Sequence, residues 1–199
     1  PALLPSPADG RLQAFGVVEA GRVLQAKGQD YELSELLGPV ATPDELEAAH
    51  AWTIYLSPRD YHRVHCPEGA VLERAAWLGA ERYSVAPKVL LARPRVFVRN
   101  ERVALRMASP RGVYFVVLVG ALNVGRLRVV GLAHRAAEPS RRRPWFDRGE
   151  ELGRFEMGST VVMVWPGVHA PTPLDGLVAD ARLRLGQPIA RFGAAKGAG

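Results

Sequence analysis

The sequence predicts a mainly β (α+β) protein, with an antiparallel β core of barrel or sandwich type and one or two short helices attached. Short apolar, β-branched runs recur along the chain, which is the pattern of buried strands. The 20 glycines and 16 prolines supply the turns between these runs. A length of 199 residues with 48% hydrophobic content suffices for one core, so we expect a single domain over residues 1–199.

About ten short runs are expected to form strands, each bounded by glycine, proline or asparagine. The clearest is 161–165, which is apolar and largely β-branched and therefore predicts a fully buried strand. The clearly bounded strands are predicted over residues 11–19, 22–26, 52–56, 71–77, 95–98, 103–108, 113–122, 126–133 and 161–165.

Helix signals are few and short. Residues 34–37 allow at most one helical turn, because a Gly-Pro pair follows them directly. A second short helix is predicted over 44–49, with Thr42 as its N-cap and Glu45 near capping-box spacing.

The charge pattern suits an anionic partner. The net charge is +6, and nearly all cations are arginines. Such an excess fits membrane lipid or nucleic acid. No lysine-rich run, RNA-binding signature or finger spacing favours nucleic acid, so no nucleic-acid partner is expected. The polar segment 135–148 contains three consecutive arginines at 141–143, which form either a solvated loop or a contact for anionic headgroups.

The sequence contains no sign of a disulfide, a membrane span or a signal peptide. Cys66 is the single cysteine. The longest apolar run, 113–122, has about half the length needed to span a bilayer. Because the sequence starts at Pro1 without Met, we expect that a preceding segment is missing and could hold a membrane anchor.

The tripeptide Gly158-Ser159-Thr160 enters the predicted strand 161–165 through a glycine-permitted turn. A backbone held tightly there can bring Ser159 Oγ against the carbonyl of Gly158. This arrangement serves one uncommon reaction, in which the chain cuts itself. The alternative interpretation is an ordinary turn serine at the start of a strand.

A second informative stretch, 55–65, reads Tyr-Leu-Ser-Pro-Arg-Asp-Tyr-His-Arg-Val-His. Its histidines, His62 and His65, could share one face of a helical turn or lie on opposite sides of an irregular loop. They could form a metal pair or be structural, although no cysteine or carboxylate set completes a metal site. With Asp9, which lies in a tight turn, and Ser159, they supply the components of an activated nucleophile.

Several sequence motifs together resemble those of bacterial-type phosphatidylserine decarboxylases. Residues 55–65 and the Gly-Ser-Thr block are the specific motifs, and the glycine-containing motifs are weaker signals. The chain departs from the family at Met157, where leucine is common, and in lacking an amphipathic N-terminus. Phrases 149–153 and 186–189 are also similar to lipoyl-type barrel-sandwich modules, which supports a barrel-sandwich-like architecture only. The matching phrases span residues 7–10, 24–28, 55–65, 99–103, 119–125 and 149–162.

The decarboxylase resemblance implies a self-processing mechanism. His65, oriented by Asp9, takes the Ser159 proton, and Oγ attacks the Gly158 carbonyl. The resulting ester eliminates to give two chains, 1–158 (β chain) and 159–199 (α chain). Residue 159 becomes a pyruvoyl group, which accepts the electrons released with carbon dioxide, so neither metal nor PLP is expected. His62 returns a proton to the α-carbon of the substrate.

The resemblance also implies the partners and the location. The substrate is phosphatidylserine, and the product is phosphatidylethanolamine for phospholipid biosynthesis. The α and β chains of one precursor stay associated, and a homodimer is an open alternative to a monomer. The enzyme is expected at the cytoplasmic face of the bacterial cell membrane, as a peripheral protein on an anionic surface.

Three other functions compete with this hypothesis. A non-catalytic barrel-sandwich binding module would need no activation of Ser159 and would remain one intact chain. A serine hydrolase would use the same residue types, but Val161 breaks the Gly-x-Ser-x-Gly pattern. A pyruvoyl-dependent decarboxylase acting on another amine-bearing substrate is the nearest competitor.

Overall fold

The computed structural model describes residues 2–26, 29–122, 127–133, 135–136, 144–155 and 159–193. Antiparallel strands dominate, which confirms the mainly β prediction. The strands are β1 (Leu3–Pro5), β2 (Gly10–Val17), β3 (Arg22–Ala26), β4 (Gln29–Glu32), β5 (His50–Leu56), β6 (Arg63–His65), β7 (Ala70–Leu78), β8 (Arg102–Ser109), β9 (Gly112–Val119), β10 (Leu127–Val129), β11 (Trp145–Phe146), β12 (Glu151–Phe155), β13 (Ser159–Trp165), β14 (Thr172–Pro173), β15 (Arg182–Leu183) and β16 (Pro188–Arg191).

Short helical segments connect some of these strands. The predicted turn at 34–37 is confirmed as a helix, whereas 44–49 gives only one 3₁₀ turn. The capping interaction nevertheless forms, because Thr42 N donates a hydrogen bond to Glu45 Oε2 at 2.9 Å. The helices are α1 (Leu33–Leu37), α2 (Pro87–Ala92) and α3 (Val96–Arg99), and the 3₁₀ turns are Gly38–Val40, Pro43–Leu46 and Gly167–His169.

One antiparallel sheet organises the molecule. Its strand order is β11-β7-β8-β9-β13-β5-β2-β15, and the described strands do not close into a barrel. Strand β13 lies in the interior, between β9 and β5, and all of its residues are buried. A run that is apolar almost throughout suits this position, because both faces of the strand are covered.

Smaller strand groups complete the fold. They are β1-β16-β14, β10-β12-β6 and the hairpin β3-β4. Of the predicted strand 126–133, the described residues 127–133 form a strand only over β10, because Gly131, with a φ of 71°, turns the chain. Within the predicted loop 135–148, β11 forms an edge strand, and the three arginines at 141–143 lie outside the described residues.

The prediction of a strand over 95–98 is wrong, because this segment is the short helix α3. Arg95 adopts a left-handed conformation with a φ of 59°, which starts the helix. The buried guanidinium of Arg102 donates to the carbonyl oxygen of Val98 at 2.5 Å and to that of Leu36 at 2.9 Å. These contacts satisfy carbonyls at the ends of α3 and α1, and such tertiary contacts override local propensity. Burial lowers the pKa of Arg102 to about 10.

The core anchors the far end of β13. Trp165, its last residue, is fully buried and stacks on Tyr114, with ring centroids 4.4 Å apart. Phe192 meets the same indole edge-on at 5.1 Å. These aromatic contacts fix the C-terminal end of the strand that begins at Ser159.

Candidate functional site

Three adjacent strands have ends on one side of the main sheet. Ser159 begins β13 and pairs with Leu56, the last residue of β5. Strand β2 begins at Gly10, and its second residue, Arg11, pairs with Tyr55. Since neighbouring strands run antiparallel, the start of β13, the end of β5 and the turn before β2 lie together at one end of these strands.

Gly10 allows the turn that carries Asp9 to approach β5 closely. A Cβ atom at Gly10 would lie 2.4 Å from the carbonyl oxygen of Tyr55, which only glycine avoids. Asp9 itself accepts a hydrogen bond from the amide of Leu185 at 2.7 Å through Oδ1. The carboxylate is thereby fixed beside the C-terminal segment of the chain.

The two informative sequence stretches run against each other. Strand β6 pairs with β12, with His65 opposite Glu151 and Arg63 opposite Arg154. Just beyond this ladder, the amide of Phe155 donates to the carbonyl of His62 at 3.0 Å. Combined with the pairing of β5 and β13, this register aligns segment 55–65 with the chain on both sides of 156–158. Residues 156–158, which include Gly158, lie outside the described residues.

Ser159 is fully buried, and its hydroxyl is isolated. Within the part of the chain that the structure describes, Ser159 Oγ has no hydrogen-bond partner. An unpaired buried hydroxyl costs about 1–3 kcal/mol relative to a paired one. Such a group calls for an explanation, and a reactive role is one of the accepted explanations.

His62 presents one nitrogen to the interior. Its Nδ1 lies 2.5 Å from the carbonyl oxygen of Asp60. Because a carbonyl can only accept, Nδ1 carries the hydrogen, and in the neutral ring Nε2 has the free lone pair. Nε2 is buried and has no hydrogen-bond partner among the described residues.

His65 has partners at both ring nitrogens. Nδ1 donates to the carbonyl of Gly149 at 2.8 Å, and Nε2 accepts from the hydroxyl of Tyr61 at 3.2 Å. The Tyr61 ring also stacks on the imidazole, with centroids 5.7 Å apart. The main chain of His65 binds the Asp9 turn, because its amide donates to Pro7 O at 2.8 Å.

The family resemblance implies that Asp9 orients His65 and fixes its tautomer, but no Asp9–His65 hydrogen bond is among those of the described residues. Asp9 accepts from Leu185, and the carbonyl of Gly149 takes the Nδ1 hydrogen of His65. This carbonyl sets the same tautomer that the aspartate was expected to set. The same turn nevertheless connects the two residues, because Asp9 follows Pro7 by two positions and the carbonyl of Pro7 accepts from the His65 amide.

A shallow pocket of about 350 Å³ opens beside His65. Its wall includes Cys66, Arg148 and Leu185. Burial raises the pKa of the Cys66 thiol, so it stays neutral in this wall. Arg148 donates to the carbonyl of Leu3, which holds the guanidinium near the rim. The pocket therefore combines apolar surface with a fixed cation next to one histidine.

Sequence reasoning missed two groups that shape the site, Asp60 and Tyr61. The Asp60 side chain is only 3% exposed and accepts from Ser57 N at 2.8 Å and from Ser57 Oγ at 2.7 Å. Burial and this carboxylate raise the pKa of Tyr55. The Ser-x-x-Asp spacing is a turn signal that could have indicated Asp60. The Tyr61–His65 contact depends on the loop path, which no local pattern encodes.

The structure also bears on metal binding and on membrane crossing. No group of three or more His, Cys, Asp or Glu side chains in the described ranges could hold a metal ion. Among the described helices, none combines the length and the apolar character that a bilayer crossing requires.

Comparison with known proteins gives a consistent result. The family model described as Phosphatidylserine decarboxylase matches residues 1–191. A protein of Alkalilimnicola ehrlichii named phosphatidylserine decarboxylase proenzyme is 39% identical over 201 positions, covering 95% of this chain and 68% of the relative. Proteins of the same name from Albidiferax ferrireducens and Azotobacter vinelandii are 38% and 37% identical, covering 93% and 95% of this chain and 68% and 70% of their own lengths.

Proposed function

The chain belongs to the phosphatidylserine decarboxylase family, and we propose that it becomes active by cutting itself between Gly158 and Ser159. It is a carboxy-lyase that converts phosphatidylserine to phosphatidylethanolamine and carbon dioxide. Its relatives are named proenzymes, which agrees with a precursor that matures by cleavage. The two products would be residues 1–158 and 159–199.

The observation that carries the proposal is the buried, unpartnered hydroxyl of Ser159 at the first residue of β13. Ser159 pairs with Leu56 of β5, and the β9 ladder begins at the next residue, Thr160, so Ser159 has little freedom to retreat from an attack on the preceding carbonyl. Such pre-organisation is worth several orders of magnitude in intramolecular reactions. The isolation of the hydroxyl fits a group that is reserved for reaction.

The cleavage balances without an external reactant other than water. Ser159 Oγ bonds to the Gly158 carbonyl carbon, the peptide C–N bond breaks, and the freed amine takes a proton. The ester then undergoes β-elimination, which releases the Gly158 carboxylate and leaves dehydroalanine at 159. Water converts dehydroalanine to a pyruvoyl group and ammonia. When formed, this group supplies a carbonyl that accepts the electrons released as carbon dioxide leaves.

We assign the base of this cleavage to His65. Its Nδ1–H is held by Gly149, so Nε2 is the nitrogen that can accept a proton. Release of the Tyr61 hydroxyl would free this lone pair for Ser159. Asp9, in the turn that binds the His65 main chain, would stabilise the imidazolium that forms.

We assign a second role to His62. Its Nε2 is buried and unpartnered among the described residues, and its main-chain carbonyl accepts from the amide of Phe155. This nitrogen can take up a proton and, as part of the imidazolium, deliver it to the α-carbon of the substrate after carbon dioxide has left. The two histidines would thus divide cleavage and decarboxylation between them.

Denaturing electrophoresis tests the cleavage. Purified protein should give two bands, Ser159→Ala only one, and the matched control Ser109→Ala two, because the Ser109 hydroxyl bonds only within its own turn, to Gly112 O and from the Arg111 amide. The small fragment should be lighter by one ammonia than a fragment with a free serine terminus. A full-length chain with decarboxylase activity would refute the proposal.

We further propose peripheral contact with an anionic membrane at the cytoplasmic face. The net charge of +6 supports this, as does the exposure of Tyr61 and Leu185 beside the His65 pocket. Each basic residue near an anionic surface adds about 1 kcal/mol, screened within a Debye length. Co-sedimentation with phosphatidylserine vesicles should therefore weaken from low to high salt. Binding that salt leaves unchanged would contradict the electrostatic contribution.

A further inference from the structure

The carboxylate of Asp60 is buried and fully engaged. Its Oδ2 accepts from both the amide and the hydroxyl of Ser57, and its Oδ1 accepts from Arg182 Nη2 at 2.9 Å. The Asp60 amide in turn donates to Ser57 O at 2.9 Å. Three donors on a side chain that is 3% exposed hold this turn in one conformation.

The rigid turn fixes the carbonyl oxygen of Asp60, and this oxygen accepts the hydrogen of His62 Nδ1. The tautomer and the ring orientation of His62 therefore depend on where the Asp60 carbonyl points. We propose that Asp60 is a positioning residue that keeps His62 in the Nδ1–H tautomer with Nε2 directed inward. The role of His62 in decarboxylation rests on the proposed function, whereas its tautomer does not.

Arg182 extends this dependence across the cleavage point. It belongs to β15, in the segment that becomes the small fragment, whereas Asp60 belongs to the large one. The Arg182 side chain is 67% exposed, but its partner is buried, so the pair is anchored from the Asp60 side. The small fragment thus contributes a cation to the turn that orients His62.

Histidine nitrogen NMR tests the positioning directly. Protein carrying Ser159→Ala and ¹⁵N-labelled histidine stays uncut, so the tautomer is read independently of processing and turnover. His62→Gln assigns the signal among the five histidines. We expect neutral His62 to be protonated at Nδ1, and Asp60→Asn to give a mixture with Nε2–H. Asp180→Asn is the matched control, because Asp180 pairs with Arg11 at the same β2–β15 edge.

Kinetics of the processed enzyme provide the second test. Asp60→Asn should lower kcat about 10- to 100-fold and leave KM within about twofold, as expected when a reacting group is misplaced. Arg182→Gln should lower kcat less, and Arg182→Lys should restore part of the loss. If Asp60→Asn does not fold, Ser57→Ala removes one donor to the same carboxylate and should shift tautomer and kcat in the same direction.

The outcomes distinguish the positioning role of Asp60 from the decarboxylation role of His62. A lower unfolding temperature with unchanged tautomer and kcat would make Asp60 merely structural and overturn the inference. A shifted tautomer with unchanged kcat would support the positioning and refute the decarboxylation role of His62.

Discussion

At the scale of single residues, the two histidines differ in what surrounds Nε2. Both donate Nδ1–H to a main-chain carbonyl, His62 to Asp60 and His65 to Gly149. His65 Nε2 is engaged by Tyr61, whereas His62 Nε2 is buried without a partner in the described part of the chain. The sequence spacing shows two histidines, but only the structure distinguishes their environments.

We expect these environments to separate the functions in mutants. His65→Ala and Asp9→Asn should accumulate uncut chain, because loss of a catalytic base typically costs several orders of magnitude. His62→Ala should still cut but form little phosphatidylethanolamine per processed molecule. Band ratios over time, compared with product formation, measure both steps.

His169→Ala is a control for this pair, because His169 binds Val113 O away from the site. Normal cleavage by His65→Ala together with failure by His62→Ala would reverse the assignment. Normal cleavage and turnover by both variants would make the histidines structural.

At the scale of elements, the sequence predicted long apolar strands well and short polar ones poorly. Strands β5, β8 and β13 are found within a few residues of their predicted bounds, because their apolar runs identify them. Strands β6 and β12, which align the site, contain arginines, a histidine and a glycine, so no apolar period indicated them. Their pairing is a long-range contact, which local patterns do not encode.

The 3₁₀ turn at Pro43–Leu46 makes a pH-dependent contact with β8. Arg106 forms an ion pair with Glu45 at 2.6 Å and thereby lowers the pKa of this carboxyl below 4.5. The folded protein therefore favours ionised Glu45, which adds stability above pH 4.5 that is lost as pH falls through the lower folded-state pKa. Glu45→Gln should cost about 1 kcal/mol at pH 7 and progressively less below pH 4.5.

Urea unfolding of both proteins across this pH range measures the difference. Glu47→Gln, at an exposed position of the same segment, should change stability little at any pH. A cost of Glu45→Gln that does not vary with pH would show that charge is not its source.

At the scale of the whole molecule, the segment that begins at Ser159 contributes strands to two sheets. Strand β13 lies inside the main sheet, β15 extends its edge, and β14 and β16 belong to a separate three-stranded sheet. Cutting before Ser159 leaves all of these pairings intact. The candidate site was predictable as residue types in order, but the meeting of their strand ends depends on this long-range topology.

We therefore expect the two fragments to remain together after cleavage. They should elute as one species in native gel filtration and separate only in denaturant, because exposing β13 would uncover its apolar residues and break two ladders. Uncut Ser159→Ala is the size reference. Separation of the fragments in native buffer would contradict the topology.

The interior position of β13 also limits how long one molecule can work. On the proposed chemistry, the serine is consumed when the catalytic group forms, and the single chain becomes two. A mature molecule that unfolds must then regain its structure by a second-order encounter of two pieces, one of which exposes an aggregation-prone strand. Working lifetime would therefore be set by the rate of unfolding rather than by the equilibrium between folded and unfolded states.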